Sequence, residues 1–529
     1  MFLKKVKGGS PNRPRWYLQL AVSVRGPKGP RHKTLCTLGR YEELVHSGEL
    51  KRLAQRITQF TDDALLVDLA KENLLASRLL GSILGIEKAF RDLQLDRKLE
   101  KIAQERKIRF DLVKVVKLML LQRIVAPGSK LSLLQWRKRL YNHEAYEGIE
   151  AQHLYRAMDV LLEEKEKLKE QVYKAQLELF QPSLNVVFYD LTTLYFESEK
   201  EDELRRFGFS KDHKHDRVQV VLGLVLSEEG LPLDYEVFAG DTFEGKTVIG
   251  MVERLRERFA IRKVILVGDR GLVSEALLKR LEEMGCGYVV GARIKQLPEK
   301  LKEQILEERG WEKLTEDLAV KELEGKGRRL VVYRSRELQE YERQKRAEVV
   351  EWLKEQLEKN PKRLLSQKGY RKYLVIEGVK MELDLAAIQR EERLDGIFGF
   401  WCSREGVSKE QAYQVYQELW QIEEAFRSMK SHLKIRPVYH YKPQRVKAHI
   451  LICYLAFCVM RVLERRLQEA GIGMSLQRAL SELEKVSCVE IETPKGLVKV
   501  RTRIEGTTYE LFRALHIKIP PVLLPQSSA

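Results

Sequence analysis

The chain has 529 residues, with 95 Lys plus Arg against 77 Asp plus Glu and a formal net charge of +18. Such a length exceeds one hydrophobic core and predicts three or four domains, while 44% hydrophobic residues exclude a disordered chain. The basic excess calls for a polyanionic partner, most often nucleic acid. The cysteines contain no C-x-x-C pair, which argues against a structural zinc site and suits a reducing cytoplasm. The amino terminus lacks the apolar segment of a signal peptide. The longest apolar stretch, Ile450–Met460, is too short to span a bilayer and reads as a buried helix, so no membrane partner is expected.

Residues 1–47 read as a small N-terminal β unit: Arg15-Trp-Tyr-Leu-Gln-Leu-Ala-Val-Ser-Val partly alternates, Gly-Pro-Lys-Gly-Pro turns the chain, and His32–Leu38 pairs back. Residues 48–180 carry Leu and Ile at helical spacing and read as a helical DNA-binding region. Its clear break, Ala126-Pro-Gly-Ser129, precedes a basic helix with Trp136, Arg137 and Arg139, and a second helix begins near Gln152. Two readings stay open. The pair forms a helix-turn-helix-like reader with Trp136, Arg137 and Arg139 on DNA, or it belongs to a plain bundle with solvated charges.

The pattern changes to strands at Leu184. Strands at 185–189, 217–226 and 232–238, a helix at 246–259, a strand at 263–267, a helix at 274–284 and a strand at 287–292 give the order βββ-α-β-α-β over 181–294. That order is the one of a ribonuclease-H-like α/β core, whose first and fourth strands lie parallel and adjacent. Residues 295–405 read as an α+β insertion domain with strands at 329–333, 372–376, 383–388 and 396–401 and a helix from Arg336 to about Lys359. The core resumes over 406–470, with one helix at 409–430 and another at 443–467, and 471–529 form a mixed C-terminal region. The fold class expected is therefore multidomain: a ribonuclease-H-like core interrupted by an α+β insertion and preceded by a small β unit and a helical region.

Three carboxylates stand out. Asp190 ends the run Asn185–Tyr189 and is followed by Thr192 and Thr193, Asp269 ends Val264-Ile-Leu-Val-Gly, and Glu423 lies within the predicted helix. Acids at the carboxyl ends of neighbouring strands meet at a common edge, where sites in open α/β sheets form, and hard oxygen ligands suit Mg²⁺. On the helix, Tyr416, Trp420, Glu423, Arg427, Lys430 and Lys434 recur at three or four residues and share a face. The carboxylate can hold metal, the cations can take phosphates, and the aromatics can stack on a displaced base. Singly, each acid is equally a turn or a solvated charge; the joint pattern carries the reading.

The sequence resembles the DDE transposases of bacterial insertion sequences, and within them the IS-four superfamily, particularly its long-chain members with a β-rich insertion. The family signature Y-x2-R-x3-E-x6-K reads here Tyr416, Leu419, Glu423, Lys430, with Leu419 in place of the Arg. Similar too are Tyr189-Asp190-Leu-Thr-Thr193, Gly268-Asp269-Arg-Gly271 and the stretch Ile435-Arg436-Pro-Val-Tyr-His440. The resemblance implies Asp190, Asp269 and Glu423 as catalytic metal ligands for two Mg²⁺ (or Mn²⁺) ions. It also implies DNA contacts at Tyr416, Trp420, Arg427, Lys430, Lys434 and Arg436, and a homodimer assembled on double-stranded DNA in the cytoplasm. The implied reaction is cleavage at terminal inverted repeats and joining of the 3′-hydroxyl ends to target DNA. Other readings are a ribonuclease-H-fold nuclease without strand transfer and a non-catalytic DNA-binding regulator. A small-molecule phosphotransferase is disfavoured, because no G-x-x-x-x-G-K-S/T loop is present.

Overall fold

The computed structural model describes residues 1–8, 15–26, 29–57, 73–208, 216–242, 244–259, 265–268, 274–325, 328–359, 364, 372–377, 380–404, 407–493 and 496–525. The chain divides into two compact units, Met1–Ala76 with Val489–Val500, and Ser77–Cys488 with Arg501–Ala529.

In the first unit, β1 (Phe2–Gly8), β2 (Arg15–Gly26) and β3 (Gly29–Arg40) form an antiparallel meander, with Val6 opposite Tyr17 and Leu20 opposite Cys36. β2 and β3 coincide with the two strands read from the sequence, and β1 precedes them. A second three-stranded sheet has the order β17-β16-β4, with β4 at Asn73–Leu79, β16 at Ser487–Thr493 and β17 at Gly496–Arg501. Thus β4 interrupts the stretch read as wholly helical.

The second unit is built on a nine-stranded mixed sheet. Its centre comprises β5 (Val186–Tyr195), β6 (Gln219–Ser227), β7 (Pro232–Ala239), β8 (Ile265–Gly268) and β9 (Gly287–Gly291), in the order β9-β8-β5-β6-β7. β5, β6 and β7 pair antiparallel, while β8 runs parallel to both β5 and β9. The first and fourth core strands, β5 and β8, lie parallel and adjacent, as expected of a ribonuclease-H-like core. Every residue of β6 is buried, as a strand covered on both faces must be.

The insertion does not form a wholly separate subdomain. β10 (Glu312–Lys313), β11 (Leu318–Gly325), β12 (Arg328–Ser335) and β15 (Ile397–Cys402) extend the same sheet beyond β9 in the order β10-β11-β12-β15-β9, and Phe400 lies opposite Gly291. Otherwise exposed backbone groups at the β9 edge are thereby paired. A small separate cluster, Leu353, Leu364, Tyr373 and Leu374, sits between the helix Arg336–Lys359 and the hairpin of β13 (Leu374–Glu377) and β14 (Lys380–Leu383). The strand expected at 383–388 is instead the start of a helix, Leu385–Glu392, because the Asp384 carboxylate accepts from the Ala387 N–H and caps it.

Of the helices between Gly81 and Phe180, Gly81–Asp92, Leu112–Val125, Ala151–Glu163 and Lys165–Phe180 pack against Pro443–Glu469, whose residues from Ala448 to Met460 are all buried. This helix is long and apolar enough to cross a membrane, yet it is enclosed by the other helices. The region forms a helical bundle, but its basic residues are not all solvated, since Lys130 is buried. Lys130–Trp136 and Ala151–Glu163 are separated by two 3-10 turns, longer than a helix-turn-helix allows, and Leu154, Ala157, Met158 and Leu161 of the second helix are buried.

Candidate active site

Residues along a strand alternate between faces, so β5 sorts its own side chains. Val187, Tyr189 and Leu191 join the cluster that includes Leu255 and Leu278, from the helices Glu244–Phe259 and Glu275–Glu283. Val186, Phe188 and Leu194 join the opposite cluster, together with Ile422, Ala425, Phe426 and Met429 of the helix Trp420–Ser431. Asp190 and Thr192 have the parity of the second set, so they share the face covered by the helix that carries Glu423. Asp190 is half-buried and Thr192 and Thr193 are buried.

Asp190 does not end its strand. β5 continues to Tyr195, with Asp190 opposite Leu224 of β6. What ends near it is the pairing with β8, which runs in parallel register from Val186 and Ile265 to Phe188 and Val267. β8 closes at Gly268, one residue before Asp269 in the chain. Asp269 itself lies outside the described residues.

The Glu423 helix is pinned against β5 and β6. At its start, the Gln421 amide donates to the Glu228 carbonyl in the β6–β7 turn at 3.0 Å. After its end, Val438 bridges to Phe196 and the Arg436 guanidinium lies 5.3 Å from the Tyr195 ring centre. The helix therefore runs alongside the length of β5 that contains Asp190. Glu423, Arg427 and Trp420 are exposed and Lys430 is half-buried, while Ile422, Ala425, Phe426 and Met429 supply the packed face.

The single stripe expected from 416 to 434 is broken. The helix Lys409–Gln417 ends, and a 3-10-like turn follows in which Gln421 and Ile422 donate to the carbonyls of Glu418 and Leu419. Tyr416 falls on the earlier helix, half-buried, with its ring centre 4.1 Å from that of Phe400. Lys434 lies beyond the helix end in left-handed backbone (φ 44°) and is exposed. Leu419, where the family signature has Arg, is buried at 7% exposure.

Trp136 is only 8% exposed and sits in the core, so its ring is not available to stack on a base. Arg137 donates to the carbonyls of Tyr146 (2.9 Å) and Ile149 (2.6 Å), holding the following loop. Arg139 is exposed. Sequence reasoning missed that Trp420 lines a cleft of about 1060 Å³ with Asn185, Val186, Ile265 and Gly287, at the amino ends of β5, β8 and β9. This cleft lies at the other end of these strands from Gly268. Asp190, Glu423 and the Thr192 hydroxyl offer hard oxygen donors and no sulfur or imidazole, a set that fits Mg²⁺ or Mn²⁺ rather than a softer ion.

A family model described as a transposase DDE domain matches residues 181–459, more than half of the chain. A second, the N-terminal domain of IS1634 family transposases, matches residues 3–70. No curated protein matches. Among solved structures, a piggyBac transposase synaptic complex with hairpin DNA overlaps at TM-score 0.37 and 10% identity, covering 78% of this chain and 82% of that one. The Mos1 transposase paired-end complex with the left transposon end overlaps at TM-score 0.16 and 12% identity, covering 33% and 57%. Overlaps this loose carry no argument.

Proposed function

Because the chain belongs to the DDE transposase family, an enzyme family that uses divalent metal ions, we propose that it cuts DNA at the terminal inverted repeats of its own insertion sequence and joins the 3′ ends to target DNA. Its place within the IS-four group of long-chain insertion-sequence transposases is part of the same proposal. The observation that carries this reading is the shared face of Asp190 and the Glu423 helix, beside a parallel strand that closes one residue before Asp269.

Asp190, Asp269 and Glu423 are the residues that would hold two Mg²⁺ (or Mn²⁺) ions. Bound there, the ions supply Lewis-acid activation of the attacking oxygen and charge stabilisation of the leaving one. The rest is the work of the chain's own groups. Arg427 and Lys430, one and two turns beyond Glu423, meet backbone phosphates and orient the scissile strand, as do Lys434 and Arg436 on the segment that follows. Trp420 presents an exposed ring at the start of the helix, suited to stacking on an unpaired base. The enzyme works in the cytoplasm on double-stranded DNA, as a homodimer that assembles on two transposon ends.

The test is incubation of the full chain with its flanking DNA, a target plasmid and Mg²⁺ or Mn²⁺, followed by mapping of new 3′ ends and junctions. Asp190→Asn, Asp269→Asn and Glu423→Gln should each abolish cutting and joining while DNA binding persists, and chelation of the metal should do the same. Near-normal cutting by any one variant removes that residue from the metal site. Cutting without joining would replace the transposase reaction by plain nuclease activity.

A further inference from the structure

Away from the acids, buried basic side chains gather without a carboxylate partner among the described residues. Lys130, Arg123 and His449 are 4%, 5% and 6% exposed. Arg123, on the helix Leu112–Val125, donates to the carbonyls of Gly128 at 3.1 Å and Leu433 at 3.2 Å. It thus ties the loop before Lys130 to the segment that leaves the Glu423 helix. His449, on the helix Pro443–Glu469, has Nε2 3.2 Å from the Ile435 carbonyl, and its ring centre is 5.6 Å from that of half-buried His440. Four elements therefore deliver Arg123, Lys130, His440 and His449 to one place.

Among the described residues, no carboxylate forms an ion pair with any of these four, whereas the neighbouring Arg445 is paired with Asp159 at 2.8 Å. The other charged or titratable groups that face them are Arg445 and the Cys453 thiol. Two polar atoms in the cluster, Arg123 Nε and His449 Nδ1, are buried without a hydrogen-bond partner. His449 Nε2 donates to the Ile435 carbonyl, and burial holds the ring well below the usual imidazole range, so Nδ1 is a lone-pair acceptor that meets an anion only once the ring takes up a proton. Burying cationic groups without an anion is costly, and native proteins pair them. Burial, and then the Arg123 charge, holds the Lys130 ammonium down to about 7. Burial, followed by Lys130, brings His440 to about 4.

We propose that Arg123, Lys130, His440 and His449 form a phosphate-binding site that takes one backbone phosphodiester of bound DNA. The surroundings favour a nucleic-acid source. On the same segment, Tyr439 and Tyr441 are each 71% exposed and Lys434 and Lys442 are exposed, a basic surface interleaved with aromatics. The site rests on the transposase reading for its occupant, while its chemistry is that of any phosphoryl anion.

Calorimetry on the full chain with inorganic phosphate at pH 8, in two buffers of different ionisation enthalpy, tests the chemistry. A Lys130 ammonium favoured only up to about pH 7 is largely neutral at pH 8 and must take up a proton as the anion binds. Saturable binding with proton uptake is expected, and Lys130→Met should lose both. For the DNA arm, Lys130→Met should weaken duplex binding roughly tenfold and reduce the slope of log affinity against log salt by about one. His440→Gln, at a partly exposed position, should weaken both arms if Lys130→Met fails to fold. Phosphate binding with an unchanged DNA slope would overturn the DNA occupant in favour of a free anion. No phosphate binding and no change in slope would overturn the site. Normal cutting and joining by Lys130→Met with an unchanged slope defeats this inference and leaves the transposase reading standing. The expected phosphate and slope results in a chain that never cuts DNA do the reverse.

Discussion

Two tryptophans on basic helices show how much a residue's role depends on its surroundings. Trp136 and Trp420 both attract a DNA-contact reading from the sequence, yet they are 8% and 61% exposed. Trp136→Ala should cost about 3–5 kcal/mol through the cavity it leaves and leave the salt slope of DNA binding unchanged. Trp420→Ala should alter stability by no more than about 0.5 kcal/mol and weaken binding to ends with unpaired bases by roughly 1–3 kcal/mol. Denaturant unfolding and fluorescence anisotropy read the two effects separately. An unfolding midpoint unmoved by Trp136→Ala would contradict the packing described for it. Nothing local distinguished the two residues. The helix Lys130–Trp136 packs against the helices Leu112–Val125 and Ala151–Glu163, and that coverage is not encoded in its own spacing.

At the scale of elements, helix and strand types were legible where periodicity is a local property. The strand order β5-β6-β7-β8-β9 with its two helices was read from the run of residues alone. The kink at Glu418–Leu419 was not, because the Tyr416–Lys434 spacing is compatible with one continuous helix, and the grip of Gln421 on the β6–β7 turn appears only in the tertiary fold. The insertion illustrates a second device. Arg346 of the helix Arg336–Lys359 is 9% exposed and pairs through both terminal nitrogens with Asp395, just ahead of β15. Asp395→Ala would leave the buried guanidinium only the Glu392 carboxylate at 4.0 Å, at a cost of up to about 3–5 kcal/mol, and should raise amide exchange across 336–359 and β15 far more than in β5. Exchange unchanged in both segments would mean that the pair is not what holds the helix on the sheet.

For the whole molecule, a charge of +18 at this length makes DNA binding an electrostatic event first. Affinity for an arbitrary duplex should fall steeply between 50 and 200 mM salt, by about three orders of magnitude if some six phosphates are contacted. Filter binding or anisotropy across that range gives the slope, and a flat response would show that the basic excess is spread over faces that never meet DNA. Fold and charge bear on the same task at different levels. The sheet and its helices hold the proposed acids in place, and the net charge raises the local concentration of the polyanion they act on.

The sequence by itself determined the order of the core strands β5 to β9 and their two helices, the basic excess and the buried helix after Pro443, and it singled out the proposed acids at 190, 269 and 423. These depend on near neighbours and composition, which periodicity and spacing report directly. Tertiary structure decided which face of β5 carries Asp190, that the insertion strands continue the central sheet, that Trp136 is core, and that Lys130 lies buried beside Arg123 and two histidines. Each of those outcomes rests on pairing or burial between segments distant in the chain. The free energy of such contacts belongs to both partners at once, so neither segment alone reveals it.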